Sequence, residues 1–297
     1  MLRALLLSTA VMLTACTPPA ATTTSTEIYL GVLEERPGSM EGEASRRVVR
    51  ALFHKDGAEW RALDAASGAP NEMSWTIASR GAELGALTSR GPAATAMISD
   101  VGIQEIDADQ TVPTVGERTA EFAGWAGTDI YRPLVAVSQP NVADPDAWTA
   151  RALDAGETQR LVQAFRAQFP SITNCVSPEA NVPQPWAYTD ADIDLTHANA
   201  IASSQGWVVA NTVLANYRCD GPLGSGEASP FVTQTFAISP EGEVRLLGQG
   251  LTFVDAGDYD ADGASELVFA LSDYNRGGYT LFYDHLAKNA AFTFSYH

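Results

Sequence analysis

The segment that decides the fold lies near the C-terminus, where residues 255–283 have the sequence DAGDYDADGASELVFALSDYNRGGYTLFY. Three aspartates alternate in it, Asp258, Asp260 and Asp262, and Gly263 follows them. On a straight strand alternate side chains lie about 6.6 Å apart, which is too far for three carboxylates to share one cation. Gly263 permits the positive φ that a tight curl needs. The pattern therefore predicts a curled loop around a hard cation such as Ca²⁺, which binds about six to eight oxygen ligands.

The loop is followed by a predicted β-hairpin and not by a helix. Its first six positions match the start of an EF-hand loop, but Phe269 occupies the twelfth position, where an EF-hand has a bidentate Glu. The apolar run 267–271 is typical of a short buried strand. The polar, glycine-rich segment 272–278 predicts a turn, and residues 279–283 predict the returning strand.

Residues 257–269, GDYDADGASELVF, resemble the calcium loop of FG-GAP/VCBS-type repeats, in which D-x-D-x-D-G-x-x-[DE] lies in a hairpin of a propeller blade. The tail, with NRGGYTLFY and FTFSYH, is similar to uncharacterised bacterial secreted proteins that carry one such motif. The resemblance implies a structural Ca²⁺ ion. The ligands that it implies are Asp258, Asp260, Asp262, Glu266 and a backbone carbonyl near Ala264. The alternative is an acidic surface turn that binds no ion, because Asp and Gly favour turns on their own.

The N-terminus has the pattern of a bacterial lipoprotein signal. Arg3 precedes a mostly apolar run over residues 4–13, which is shorter than the about 20 residues that span a bilayer. The sequence LTAC at 13–16 resembles the lipobox, which implies that residues 1–15 are a signal peptide and that Cys16 carries the lipid. The alternative is an ordinary secretory peptide with an incidental cysteine.

The lipobox resemblance also implies a location. Thr17 follows Cys16, and the absence of Asp at that position resembles the sorting pattern of outer-membrane lipoproteins in Gram-negative bacteria. Residues 16–26 are rich in Thr and Pro and contain too little apolar surface to fold, so we expect a tether. The expected location is the bacterial cell envelope, at the outer membrane, with the protein facing the periplasm or the exterior.

The charge of the chain limits its partners. The formal net charge is −18. A nucleic-acid partner is excluded, since binding to the phosphate backbone requires a basic face. The same charge argues against peripheral binding to anionic lipid headgroups, and it is compatible with divalent cations.

Two cysteines remain after Cys16, and these are Cys175 and Cys219. In an oxidising compartment two such cysteines commonly form a disulfide. Two buried free thiols are the alternative. A metal site is disfavoured, because neither residue has a Cys or His at ligand spacing.

The remaining pattern predicts a mainly β fold of the α+β type, with antiparallel sheets and meanders, one amphipathic helix, and a partial propeller-like or sandwich arrangement. Turn signals recur every eight to twelve residues in the first half, as is typical of meanders. The predicted strands are 28–33, 46–54, 59–63, 75–79, 84–89, 96–106, 134–138, 207–217, 231–238, 243–248 and 290–296. Residues 193–201 fit a helix or a strand.

Prolines interrupt the pattern between residues 132 and 148, which predicts a domain boundary. We expect an N-terminal β domain over residues 27–150 and a C-terminal domain over residues 151–297, with the helix, the disulfide and the acidic-loop hairpin. The helix follows Asp154 and ends at Pro170. Its predicted apolar stripe consists of Leu161, Val162, Phe165 and Phe169.

The sequence contains no H-E-x-x-H pair and no G-x-S-x-G elbow, so no catalytic residue is predicted. We expect a non-catalytic binding or structural protein with a protein or glycan partner. A candidate binding loop is the hairpin tip, with Asp273, Tyr274, Asn275 and Arg276. One alternative is an envelope hydrolase with a site assembled from scattered acids. Another is a carbohydrate-binding module, which would need exposed aromatic side chains such as Trp60, Trp75 and Trp148.

Overall fold

The computed structural model describes residues 27–36, 44–63, 68–91, 98–122, 128–139, 148–175, 182–201, 206–219, 233–273 and 275–296. The predicted signal peptide and the whole predicted tether, which includes Cys16, lie outside these ranges. The fold is mainly β, with antiparallel sheets and one α-helix, which confirms the predicted fold class. Within the described ranges no helix has the length and apolar character needed to cross a membrane.

Six strands of the first half form a closed barrel, and a seventh strand extends it. The strands are β1 (Tyr29–Arg36), β2 (Arg46–Asp56), β3 (Glu59–Ala62), β4 (Glu72–Ser79), β5 (Ala82–Arg90), β6 (Ile103–Ile106) and β7 (Leu134–Val137). The order is β1-β7-β4-β5-β6-β2, and β2 pairs back onto β1, so that the ring closes. Strand β3 pairs with β2 outside the ring. Closure leaves few free backbone groups at a sheet edge.

A five-stranded sheet and the helix follow. The elements are β8 (Trp148–Ala150), α1 (Ala155–Gln168), β9 (Ile172–Cys175), β10 (Pro183–Trp186), β11 (Ile193–Ile201), β12 (Val208–Leu214), β13 (Gln234–Ile238) and β14 (Val244–Gln249). The sheet has the order β14-β13-β12-β11-β8, and β9 forms a separate two-stranded sheet with β10. The helix begins with a capping box, in which Asp154 accepts the Glu157 amide and Glu157 accepts the Asp154 amide. Leu161 and Phe165 pack it against the sheet.

The last four strands form the central layer of the molecule. They are β15 (Leu251–Gly257), β16 (Glu266–Asp273), β17 (Arg276–Tyr283) and β18 (Lys288–Ser295), paired in chain order. Side chains on β16 alternate between two cores: Val268 packs with the barrel, whereas Leu267 and Phe269 pack with the five-stranded sheet. Because both faces are covered, the strand is a continuous apolar run and not a pattern of alternating polarity.

Some elements differ from the prediction. The strand predicted at 96–106 begins only at Ile103, after a 3₁₀ turn over Ile98–Asp100. For residues 193–201, where the sequence fits a helix or a strand, the structure has a strand. The predicted 272–278 turn is much shorter, because β16 and β17 extend into it. Gly278 lies in β17, where a Cβ would be 2.0 Å from the Phe292 carbonyl oxygen, so this glycine permits close strand approach.

Candidate metal site

The predicted acidic loop connects β15 to β16, at the barrel-facing end of the central layer. Asp258, Asp260 and Asp262 each place one carboxylate oxygen in a group whose members lie within 4.8 Å of one another. Oxygens bound to the same Ca²⁺ ion at about 2.4 Å can be at most about 4.8 Å apart. The three carboxylates that the sequence singled out therefore converge to a spacing that one cation can bridge.

Backbone amides of the loop hold this curled shape. The amides of Asp262 and Gly263 each donate to a carboxylate oxygen of Asp258 at 3.0 Å, and the amide of Ala264 donates to Asp262 at 2.8 Å. Ala261 has φ 59° and Gly263 has φ 90°. A non-glycine residue in this left-handed region costs about 1–2 kcal/mol. The carboxylates are thus directed inward at a conformational cost.

Glu266 lies behind the three aspartates as the first residue of β16. It is 1% exposed, and its carboxylate accepts the Tyr259 amide at 2.8 Å. Burial raises the pKa of Glu266 well above its usual range, and the negative charge of Asp260 raises it further. Glu266 does not belong to the 4.8 Å group, so a fourth ligand from this residue stays a prediction. The same holds for the carbonyl near Ala264.

Lys55, from the barrel strand β2, is a member of the site that sequence reasoning missed. Its ammonium group forms an ion pair with Asp260, whose side chain is 2% exposed. The two residues are 205 positions apart. The sequence indicates only that Lys55 belongs to a hairpin turn over residues 55–57. This signal does not indicate contact with a distant loop. The site is therefore shared between the barrel and the central layer.

Burial also raises the pKa of Asp258, and the charges of Asp260 and Asp262 add to this effect. The amides of Gly263 and Asp262 oppose it by hydrogen bonding to the carboxylate. The loop accordingly concentrates negative charge in a partly buried place, where one lysine balances part of it. Such an arrangement can bind a divalent cation through oxygen ligands.

The other predicted site residues lie apart from the loop. Cys175 and Cys219 form a disulfide, as predicted. At the hairpin tip Arg276 forms an ion pair with Asp273 at 2.8 Å, so the two charges of the candidate binding loop balance each other. Asn275 adopts a positive φ in the same turn, and Tyr274 lies outside the described residues.

The three tryptophans that a carbohydrate platform would need are buried. Trp60 and Trp75 pack in the barrel core, and Trp148 packs in the core of the five-stranded sheet. Their exposed fractions are 2%, 1% and 2%. These residues therefore form no exposed aromatic face.

A cavity that the sequence did not indicate lies where the β4–β5 turn meets the five-stranded sheet. Its volume is about 440 Å³. Three arginines line it, Arg80, Arg132 and Arg151, together with one acid, Glu121. They are scattered along the chain, so no local pattern could have brought them together.

Comparisons of the chain with protein-family models, with curated proteins and with solved structures found no match.

Proposed function

We propose that this protein is a non-catalytic, lipid-anchored protein of the bacterial cell envelope in which a structural Ca²⁺ ion fixes the central sheet to the barrel. The supporting observation is the convergence of Asp258, Asp260 and Asp262 within 4.8 Å beside a barrel lysine. The FG-GAP/VCBS-type resemblance of the loop supports the choice of Ca²⁺. The lipobox pattern at Cys16 supports the anchor.

The position of the loop supports a structural role for the ion. The loop joins two strands of the layer whose faces contribute to both the barrel core and the sheet core. Tyr259, inside the loop, is 3% exposed and packs in the barrel core. Binding of an ion here would therefore order a segment on which two cores depend.

Calorimetric titration with Ca²⁺ tests this proposal. We expect one ion per chain, and we expect Asp258→Asn to abolish the heat, because this carboxylate accepts two loop amides at the centre of the curl. The matched control is Asp273→Asn, which makes the same charge change at the hairpin tip. The proposal fails if the wild-type protein binds no Ca²⁺ at millimolar concentrations, or if both variants bind it equally.

A further inference from the structure

The arginine-lined cavity is separate from the acidic loop, since none of the three loop aspartates lines it. Arg80 comes from the β4–β5 turn, Arg132 lies two residues before the start of β7, and Arg151 follows β8. The whole chain has 18 basic and 36 acidic residues. Acidic residues outnumber basic ones in the chain, whereas the described lining of this cavity has three guanidinium groups and one carboxylate.

Arg80 occupies a position that disfavours it. Arg80 and Gly81 have φ values of 52° and 72°, which is the pattern of a type I′ turn, where Asn, Asp or Gly is usual. A bulky residue in this region is strained, and such strain is often found at functional sites. Among the described residues, the Arg80 guanidinium forms no ion pair. It lies over the Trp148 ring at 4.4 Å.

The other two guanidinium groups are held in place. Arg132 donates to the carbonyl oxygens of Phe253 and Val254 and lies 4.8 Å from the centre of the Trp148 ring. These bonds use Nε and Nη2 and leave Nη1 without a hydrogen-bond partner among the described residues. Arg151 forms a bidentate pair with Glu157 at 2.6 and 2.7 Å. Fixed guanidinium groups bind an oxyanion at a lower entropic cost than mobile ones.

Two of the carboxylates that contact these arginines are buried and do not line the cavity. Asp255 is 2% exposed and accepts hydrogen bonds from the Trp148 indole and the Arg80 amide. Glu157, in the first turn of α1, is buried and pairs with Arg151. Of the acids near the cavity, Glu121 alone lines it, and no ion pair joins it to Arg80 or Arg132 within the described residues. Among the described residues, the ionisable groups that line the cavity are therefore three guanidinium groups and one carboxylate.

We propose that this cavity binds a small oxyanion-bearing molecule of monosaccharide size, with Arg80 and the Nη1 group of Arg132 as the donors to its carboxylate or phosphate. Guanidinium groups recognise both anions through paired N–H donors. A volume of about 440 Å³ lies in the range of small-molecule sites. Thr196 and Asn199, on β11, supply polar groups for the hydroxyls of such a molecule. The cavity does not include the acidic loop, so this proposal is independent of the cation site.

The test is calorimetric titration of the full chain with glucuronate, glucose 6-phosphate and glucose. We expect at least one of the two anions to bind with millimolar affinity or better, and glucose not to bind. The anion that binds identifies the group as carboxylate or phosphate. Arg80→Gln should weaken this binding at least tenfold. Glu121→Gln should strengthen it severalfold, because the variant removes the carboxylate that lines the cavity in the described part of the chain.

Arg90→Gln is the matched control, since Arg90 lies at the other end of the same β4–β5 hairpin and is exposed. The Arg90→Gln variant should bind the anion with the same affinity as the wild-type protein. The proposal is overturned if neither anion binds at about 50 mM, if glucose binds as tightly as the anions, or if Arg80→Gln and Arg90→Gln have the same affinity. Unchanged melting temperatures of both variants exclude unfolding as the cause of a loss.

Discussion

Calcium should raise the melting temperature of the whole chain. The loop brings together three carboxylates, Asp258, Asp260 and Asp262, and the ammonium group of Lys55 pairs with Asp260, so the formal charge of these groups is −2. Two unit charges 4.8 Å apart repel by about 3.5 kcal/mol at an effective dielectric constant of about 20. A divalent cation replaces this repulsion with attraction, and the unfolded chain offers no comparable site.

The expected magnitude follows from mass action. Extracellular calcium modules have dissociation constants of about 10⁻⁴–10⁻³ M. If the constant is about 0.1 mM, then about 10 mM Ca²⁺ is a hundredfold excess, which stabilises the folded state by about 2.7 kcal/mol. For a large domain, 1 kcal/mol raises the melting temperature by roughly 2–4 °C. We therefore expect a rise of about 5 °C or more, in a single transition, because the central sheet contributes to both neighbouring cores.

Differential scanning calorimetry of the full chain, in Ca²⁺ and in chelator at equal ionic strength, measures this rise. The Asp258→Asn variant should melt at the same temperature in both buffers. The Asp273→Asn control should keep the wild-type difference. Identical wild-type curves in the two buffers would refute the reasoning, as would an undiminished shift in Asp258→Asn.

Three further predictions concern the core, the disulfide and the anchor. Burial raises the pKa of Asp255 from 3.8 to about 6, so the fold favours the protonated carboxyl and this residue makes stability fall as the pH rises from about 4 to 6. Asp255→Asn should remove that slope and raise the free energy of unfolding, measured with urea at pH 7.5, by up to about 3 kcal/mol. A difference in the free energy of unfolding between wild type and variant that is independent of pH contradicts this. Cys175→Ser opens a disulfide between residues 44 positions apart and should cost about 4 kcal/mol in the same assay, whereas a cost near zero would show that the bond does not constrain the unfolded chain. Cys16→Ser should move the protein from the membrane fraction to the soluble periplasmic fraction of an expressing bacterium, and retention in the membrane fraction would exclude lipidation at this residue.

Local features of the fold could be predicted from the sequence because their causes are local. Asp154 before the first turn and the apolar stripe with Leu161 and Phe165 predict the helix that is observed, and the structure adds the capping box between Asp154 and Glu157. The turn residues 55–57, Lys-Asp-Gly, between the predicted strands 46–54 and 59–63 predict the β2–β3 hairpin. Each depends on residues a few positions apart, whose periodicity and turn chemistry are visible in one stretch of sequence.

Features that depend on distant pairing could not be predicted. Barrel closure requires β1 to pair with both β2 and β7, and nothing local specifies these partners. The apolar run of β16 predicts a buried strand, but not that barrel and sheet cover its two faces. In the same way, the acidic spacing predicts the convergence of Asp258, Asp260 and Asp262 but not the ion pair between Asp260 and Lys55 of the barrel.

The most direct test of the cation site is a crystal structure of the protein grown with Ca²⁺. We expect a strong density peak between the three loop aspartates, with carboxylate oxygens of Asp258, Asp260 and Asp262 at about 2.3–2.6 Å from it. The account is contradicted if the well-ordered loop contains only water there and its carboxylates point away from one another.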